Sequence, residues 1–217
     1  MTKFTAAAIA AMGLAIGAGT GAQAASITNG GFEEDSTIVF GGFLPRGNGD
    51  MSITGWTVGG SAVDWISTLW TPAEGARSVD LNGSSPGSLA QVLMSLVVGT
   101  SYDVTFALSG NPGGGPTIKA LNVAVGNENA DYTYDVTGNS FVNMNWAYRT
   151  FTFIADAPSE TLTFTSLDNG AYGPAIDDVS IARSGPKVPQ VPLPASALLL
   201  MGGLAGLAGL RRLRARG

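Results

Sequence analysis

Hydrophobic residues in the middle of this chain recur at every second position. Tyr102, Val104, Phe106 and Leu108 share one face of an extended segment, while Asp103 and Thr105 take the other. That period belongs to a β-strand with one buried side, because successive side chains point to opposite faces. Leu121, Val123 and Val125 repeat it, as do Tyr132, Tyr134 and Val136, and Leu162 and Phe164 alternate with Thr161, Thr163 and Thr165. Further strands are expected at 26–32, 55–58, 63–66, 77–81, 88–93 and 179–182. The aromatic phase slips by one between Tyr148 and Phe151, which predicts a β-bulge near Arg149 and Thr150. Glycine, proline and asparagine clusters at 41–42, 47–49, 59–60, 86–87 and 111–116 mark the turns between strands. No segment carries a convincing amphipathic helical period. About nine to eleven short strands at this spacing predict an all-β fold, an antiparallel two-sheet sandwich.

Two apolar stretches lie outside the alternation. Lys3 precedes an Ala/Ile/Leu/Gly run at 4–18, which is followed by Ala22-Gln23-Ala24. A basic start, a short apolar core and an A-x-A site read as a secretory signal peptide over 1–24, cleaved after Ala24, so the protein is expected to be exported. The folded domain then covers 25–184. Residues 185–194 are a proline-rich linker, 195–210 are apolar, and four arginines crowd the tail at 211–217. Sixteen helical residues reach roughly 24 Å, short of a hydrocarbon core of about 30 Å. The arginines would stay cytoplasmic and leave the domain facing outward. The motif Val191-Pro192-Leu193-Pro194-Ala195, the apolar run and the arginine cluster together resemble the PEP-CTERM class of sorting signals in its VPLPA form. That resemblance implies an exosortase-type processing enzyme as a partner. It also implies a transient or permanent hold in the membrane by the C-terminal helix, and a cell-surface or extracellular destination.

Composition excludes several chemistries. The chain has no cysteine and no histidine, so neither a Ser-His-Asp nor a Cys-His site can be built, nor a His/Cys zinc site. A metal would have to be held by oxygens, which points to calcium. All sixteen acidic residues lie between Glu33 and Asp178, against four basic ones there: Arg46, Arg77, Lys119 and Arg149. Such a domain repels phosphate, and no nucleic-acid partner is expected.

The order of local motifs along some 155 residues is more specific than any one of them. Asn29-Gly30-Gly31-Phe32-Glu33, Gly55-Trp56, Val63-Asp64-Trp65-Ile66, Ser78-Val79-Asp80-Leu81-Asn82-Gly83 and Pro86-Gly87-Ser88-Leu89-Ala90-Gln91 come first. Gly99-Thr100-Ser101-Tyr102, Gly110-Asn111, Trp146, Phe151-Thr152-Phe153 and Gly173-Pro174-Ala175-Ile176-Asp177-Asp178-Val179 complete the series. The set resembles the DUF642 / choice-of-anchor C family. The resemblance implies a galactose-binding-like jelly roll.

Two sites are expected. Asp177 shares the face of Val179 and Ile181 if the alternation is unbroken, and a buried carboxylate needs a partner. Glu33 on the first strand is the candidate second ligand, with calcium as a structural ion between them. Resemblance to calcium-stapled carbohydrate-binding modules implies the same two positions. Most of the tryptophans should be core. Trp70, in the loop-like stretch 67–72, is the candidate for stacking on a sugar ring, with Asp64, Arg77, Asn82 and Asn111 as hydrogen-bonding neighbours. The expected function is a non-catalytic, carbohydrate-binding module of a cell-surface or matrix protein, with polysaccharide or extracellular matrix as partner. The alternatives are a structural matrix protein without a sugar site, and a glycoside hydrolase, which would need two carboxyl groups held about 5–10 Å apart.

Overall fold

The computed structural model of the chain describes residues 24–34 and 41–185. Eleven strands form there: β1 (Phe43–Gly47), β2 (Thr57–Gly60), β3 (Ala62–Ile66), β4 (Ser78–Asp80), β5 (Gly87–Leu93), β6 (Ser101–Gly110), β7 (Ile118–Val125), β8 (Glu128–Asp135), β9 (Ala147–Ile154), β10 (Glu160–Ser166) and β11 (Pro174–Arg183). No helix occurs among the described residues. One sheet has the order β1-β3-β4-β11-β6-β9 and the other β2-β5-β10-β7-β8. Every pairing is antiparallel. The chain crosses between the sheets at most connections, the interleaving of a jelly roll. The expected all-β, two-sheet antiparallel sandwich is therefore present. The signal peptide, the linker, the sorting motif and the apolar C-terminal run lie outside the described residues.

The alternation read from sequence decides which face each strand buries. Tyr102, Val104, Phe106 and Leu108 of β6 are buried against Leu121, Val123, Leu162, Phe164 and Leu89 of the other sheet. Phe106 meets Phe164 edge-on at 5.1 Å between ring centres and Tyr132 at 5.3 Å, the geometry favoured by aromatic quadrupoles.

The stretch 26–32 is not a strand, contrary to expectation. Asn29 and Phe32 have φ of 52° and 58°, and the Phe32 N–H turns back to the Asn29 carbonyl. Two positive-φ residues within four break the extended conformation. What holds the segment is a set of polar clamps. The Gln91 amide bonds both the N–H and the carbonyl of Thr28. The Trp56 and Trp65 indoles donate to the carbonyls of Asn29 and Phe32. Gly30 lies so close to β11 that a β-carbon there would overlap the Val179 carbonyl oxygen.

Two further expectations are corrected. No bulge interrupts β9: its pairing with β6 runs in register from Ser101↔Ile154 to Leu108↔Ala147. Tyr148 simply faces outward while Phe151 and Phe153 face the core. The irregularity lies in β11, between Asp177 and Ser180, where Asp178 has φ of 45°. It shifts the phase, so Ile176 and Val179 both reach the core. Asp177 is left on the opposite face, in register with Ala107. It therefore does not share the face of Val179 and Ile181.

Candidate functional site

Strands β4, β6, β8 and β10 end at one end of the sandwich, and their loops 81–86, 111–117, 136–146 and 167–173 gather there. Beneath these loops lies a buried polar network. Asp80, at the end of β4, is fully buried. Its Oδ1 accepts the N–H groups of Asn82 (2.9 Å) and Gly173 (3.1 Å), and its Oδ2 accepts the Asn111 amide (2.8 Å). Asn111 Oδ1 in turn accepts the Gly113 N–H at 2.8 Å. Asn82 donates to the Gly170 carbonyl at 2.7 Å and the Asp168 carbonyl at 3.3 Å. Through Asn82, Asn111 and Gly173 the Asp80 carboxyl is bonded to three different loops.

Lys119 completes the network from the other sheet. It occupies the inward phase of β7, shared with Leu121, Val123 and Val125, and is fully buried. Its Nζ donates to the carbonyls of Gly114 (2.8 Å) and Tyr172 (2.6 Å), one in each neighbouring loop. Burial pulls its pKa down, opposed by the carboxylates of Asp168 and Asp80. Burial pushes Asp168 up, opposed by the N–H of Ala120 and by Lys119. Burial also pushes Asp80 up to about 7, against its hydrogen bonds and helped by the charge of Asp64. Asp64 stands directly across from Asp80 in the β3–β4 register and is itself pushed up to about 6 by burial.

Two aromatic side chains lie over this network. Tyr172 is 43% exposed and Phe141 40% exposed, so a ring edge and face remain open to solvent at each. They flank Gly113: a β-carbon there would lie 3.2 Å from Tyr172 Cε1 and 3.4 Å from Phe141 Cζ. Gly114 packs flat beneath the Tyr172 ring, with no room for a β-carbon. The backbone of Tyr172 is thus bonded from below by Lys119, while the Phe141 carbonyl accepts the Thr71 N–H at 3.0 Å. Exposed, pre-positioned aromatic faces can stack on the apolar C–H face of a ligand at little entropic cost.

The sequence-predicted ligand residues divide. Asn82 and Asn111 are brought together, but both are buried and their amides are spent on loop backbone and on Asp80. Asp64 lies beside them, its Oδ1 buried and bonded to nothing among the described residues. Arg77 lies elsewhere, its guanidinium 4.5 Å from the centre of the Trp65 ring. Trp70 does lie in a loop, between β3 and β4, but it is only 4% exposed. Its indole donates to Ser78 Oγ at 2.8 Å and packs with Ile66, Met144 and Ala175 under loops that cover the outer face of the larger sheet. A ring so enclosed cannot stack on a sugar, which corrects that expectation. Tyr172 and Phe141 were missed because aromatics in turn-rich stretches have no period to mark them. Lys119 was missed as well, although its phase with three core positions, Leu121, Val123 and Val125, marks it.

Glu33 and Asp177 meet on one object, the loop segment 73–77. Asp177 Oδ2 accepts the N–H groups of Ala73 (2.8 Å) and Glu74 (3.1 Å), and its Oδ1 that of Asp178 (2.7 Å). Glu33 Oε1 accepts those of Ala76 (2.7 Å) and Arg77 (2.8 Å). Burial pushes Asp177 up to about 7, against these N–H donors and with help from the Glu74 charge. Among the described residues no group of three or more acidic side chains is placed to hold a metal ion. Asp177 Oδ1 and Glu33 Oε2 retain lone pairs.

Comparison with known proteins places the chain among relatives. It is 38% identical over 135 residues to halomucin of Haloquadratum walsbyi (strain DSM 16790 / HBSQ001), a match covering 61% of this chain and 1% of halomucin. The chain thus spans about 1% of the length of that relative. Among solved structures it is similar to TmCBM61 in complex with beta-1,4-galactotriose, at a TM-score of 0.48 and 15% identity over 72% of this chain and 96% of that one. It is also similar to CBM35 from Paenibacillus barcinonensis, at a TM-score of 0.42 and 17% identity over 65% and 98%. Such partial overlaps say nothing about a ligand. The profile of the family described as protein of unknown function (DUF642) matches residues 25–182, and the chain belongs to that family.

Proposed function

We propose that this domain is a non-catalytic carbohydrate-binding module of an exported cell-surface or matrix protein. The observation that carries the reading is the pair of exposed rings, Tyr172 and Phe141, held over a fully buried polar network. Pyranose rings present apolar C–H faces of matching size, and covering them takes apolar area out of water at roughly 25 cal/mol per Å². The buried carboxyls below do not suit hydrolysis, because Asp80 is closed off from any substrate. A glycan array that includes the producer's own polysaccharide tests the reading. Binding should weaken about fivefold to tenfold on either Tyr172→Ala or Phe141→Ala. Silence of the wild-type protein on every glycan would leave the structural matrix role in its place.

The C-terminal motif supports sorting by an exosortase, with the 195–210 run holding the chain in the membrane before processing. Mass spectrometry of the mature C-terminus decides this, since an intact arginine tail contradicts processing. Calcium is proposed at Glu33 and Asp177, where it would neutralise a buried carboxylate and lock segment 73–77. Ion at a hundredfold excess over its Kd stabilises by about 2.7 kcal/mol, or roughly 5–10 °C in melting temperature for a domain of this size. A melting temperature indifferent to chelator would remove the ion from the account.

A further inference from the structure

Asp64 and Asp80 stand opposite each other in the β3–β4 pairing, on the outer face of the larger sheet. Phase sets that face: Val63 and Trp65 beside Asp64, and Val79 beside Asp80, all enter the core. Asn82 lies two residues beyond Asp80 and is extended enough to bridge Pro86, so its side chain leaves the same face. Directly opposed side chains have β-carbons about 4.5–5.5 Å apart. The two carboxyl groups thus face each other across the strand pair, with the Asn82 amide diagonal to Asp64. The charge of Asp64 acts directly on Asp80.

Hydrogen bonds account for only part of this group. Asp80 accepts its three N–H donors, but Asp64 Oδ1 is shut off from solvent with no donor among the described residues. Asn82 is fully buried, and its Nδ2 is spent on the carbonyls of Asp168 and Gly170. Its Oδ1 also meets no donor there. That oxygen lies on the Asp80 side, against Gly173, whose N–H bonds Asp80 Oδ1: a β-carbon on Gly173 would stand 2.4 Å from it. Lys119, the cation of the network, spends its Nζ on the carbonyls of Gly114 and Tyr172. Buried oxygens are costly without a partner, and facing carboxylates repel. A cation answers both conditions at once.

We propose that Asp64, Asp80 and Asn82 form a calcium site, sharing no ligand with the pair Glu33 and Asp177. It uses two carboxyl groups and an amide oxygen in place of three acidic side chains. Asp64 is only partly buried, so water completes from that side the roughly six to eight oxygens that calcium takes. An ion there keeps Asp80 ionised. It thereby strengthens the three bonds by which that carboxyl holds loops 81–86, 111–117 and 167–173 under the aromatic pair.

Calorimetric titration of calcium into full-length protein stripped with a chelator tests this. In an Asp177→Asn background the other candidate ion is removed, and one calcium per chain should still bind. Adding Asp64→Asn should weaken that binding roughly tenfold or more. The substitution keeps the shape of the side chain and removes a carboxyl oxygen that has no donor to lose. With chelator present it should therefore melt at or above the temperature of its parent, which separates ion binding from folding. No calcium bound by the Asp177→Asn protein, or an affinity untouched by Asp64→Asn, would overturn the proposal. Asp64→Asn alone should weaken one calcium per chain by the same factor. A titration identical to wild type would overturn the proposal even if Asp177→Asn did not fold.

Discussion

Raising the pH from 5 to 8 in the presence of a chelator should destabilise this protein. Asp80 and Asp177 are both fully buried, and burial pushes each up to about 7 from an ordinary 3.8. At pH 5 the folded chain keeps both protons while the unfolded chain has lost them. Unfolding then releases protons, so stability is full below about pH 4 and is lost as the pH rises through 7. One pKa unit is worth about 1.4 kcal/mol, which gives a ceiling of about 4 kcal/mol for each group. Asp64, pushed up to about 6 but only partly buried, adds less. Against a total stability of roughly 5–15 kcal/mol, the loss should lower the melting temperature by of order 10 °C. Urea denaturation followed by the fluorescence of the buried Trp56, Trp65 and Trp70 measures it directly. Asp177→Asn should remove about one proton from the slope, and saturating calcium should do the same if the ion displaces that proton. Stability that is flat or rising from pH 5 to 8 without calcium would mean that these carboxyls are ionised in the fold. The burial argument would then be wrong.

Gly30→Ala should cost about 2–4 kcal/mol, since a methyl group there displaces the Val179 carbonyl and the β11 contact it supports; a denaturation midpoint within about 0.5 kcal/mol of wild type would contradict it. Trp70→Ala should cost about 3–5 kcal/mol yet leave glycan affinity unchanged below the melting transition. A well-folded variant that no longer binds sugar would return Trp70 to the site. Lys119→Met should free the carbonyls of Gly114 and Tyr172. Hydrogen exchange should then quicken in loops 111–117 and 167–173, and glycan binding should weaken with it; unchanged exchange would mean that the lysine does not order these loops.

Alternation made the sandwich legible because each strand has one wet and one dry face. The signal failed where another force overrode the period. At 26–32 the apolar residues Ile27 and Phe32 suggested a strand, but positive φ at Asn29 and Phe32 and side-chain clamps from Gln91 on Thr28, Trp56 on Asn29 and Trp65 on Phe32 hold the segment. At Tyr148 an exposed aromatic mimicked a phase slip. At Asp177–Ser180 the true slip was silent, because two adjacent aspartates carry no hydrophobic phase. Residue type reveals period only where burial is the sole determinant of type.

The candidate site was half legible for a related reason. Asn82 and Asn111 stood out as polar residues in turns, and the structure does bring them together. Turns, however, leave backbone groups to be satisfied, and at this end of the fold the asparagine amides and Asp80 satisfy them. A side chain consumed by its own loop has nothing left for a sugar. What remains available is a side chain that no strand buries and no backbone group claims, and Tyr172 and Phe141 meet that condition through their exposed rings.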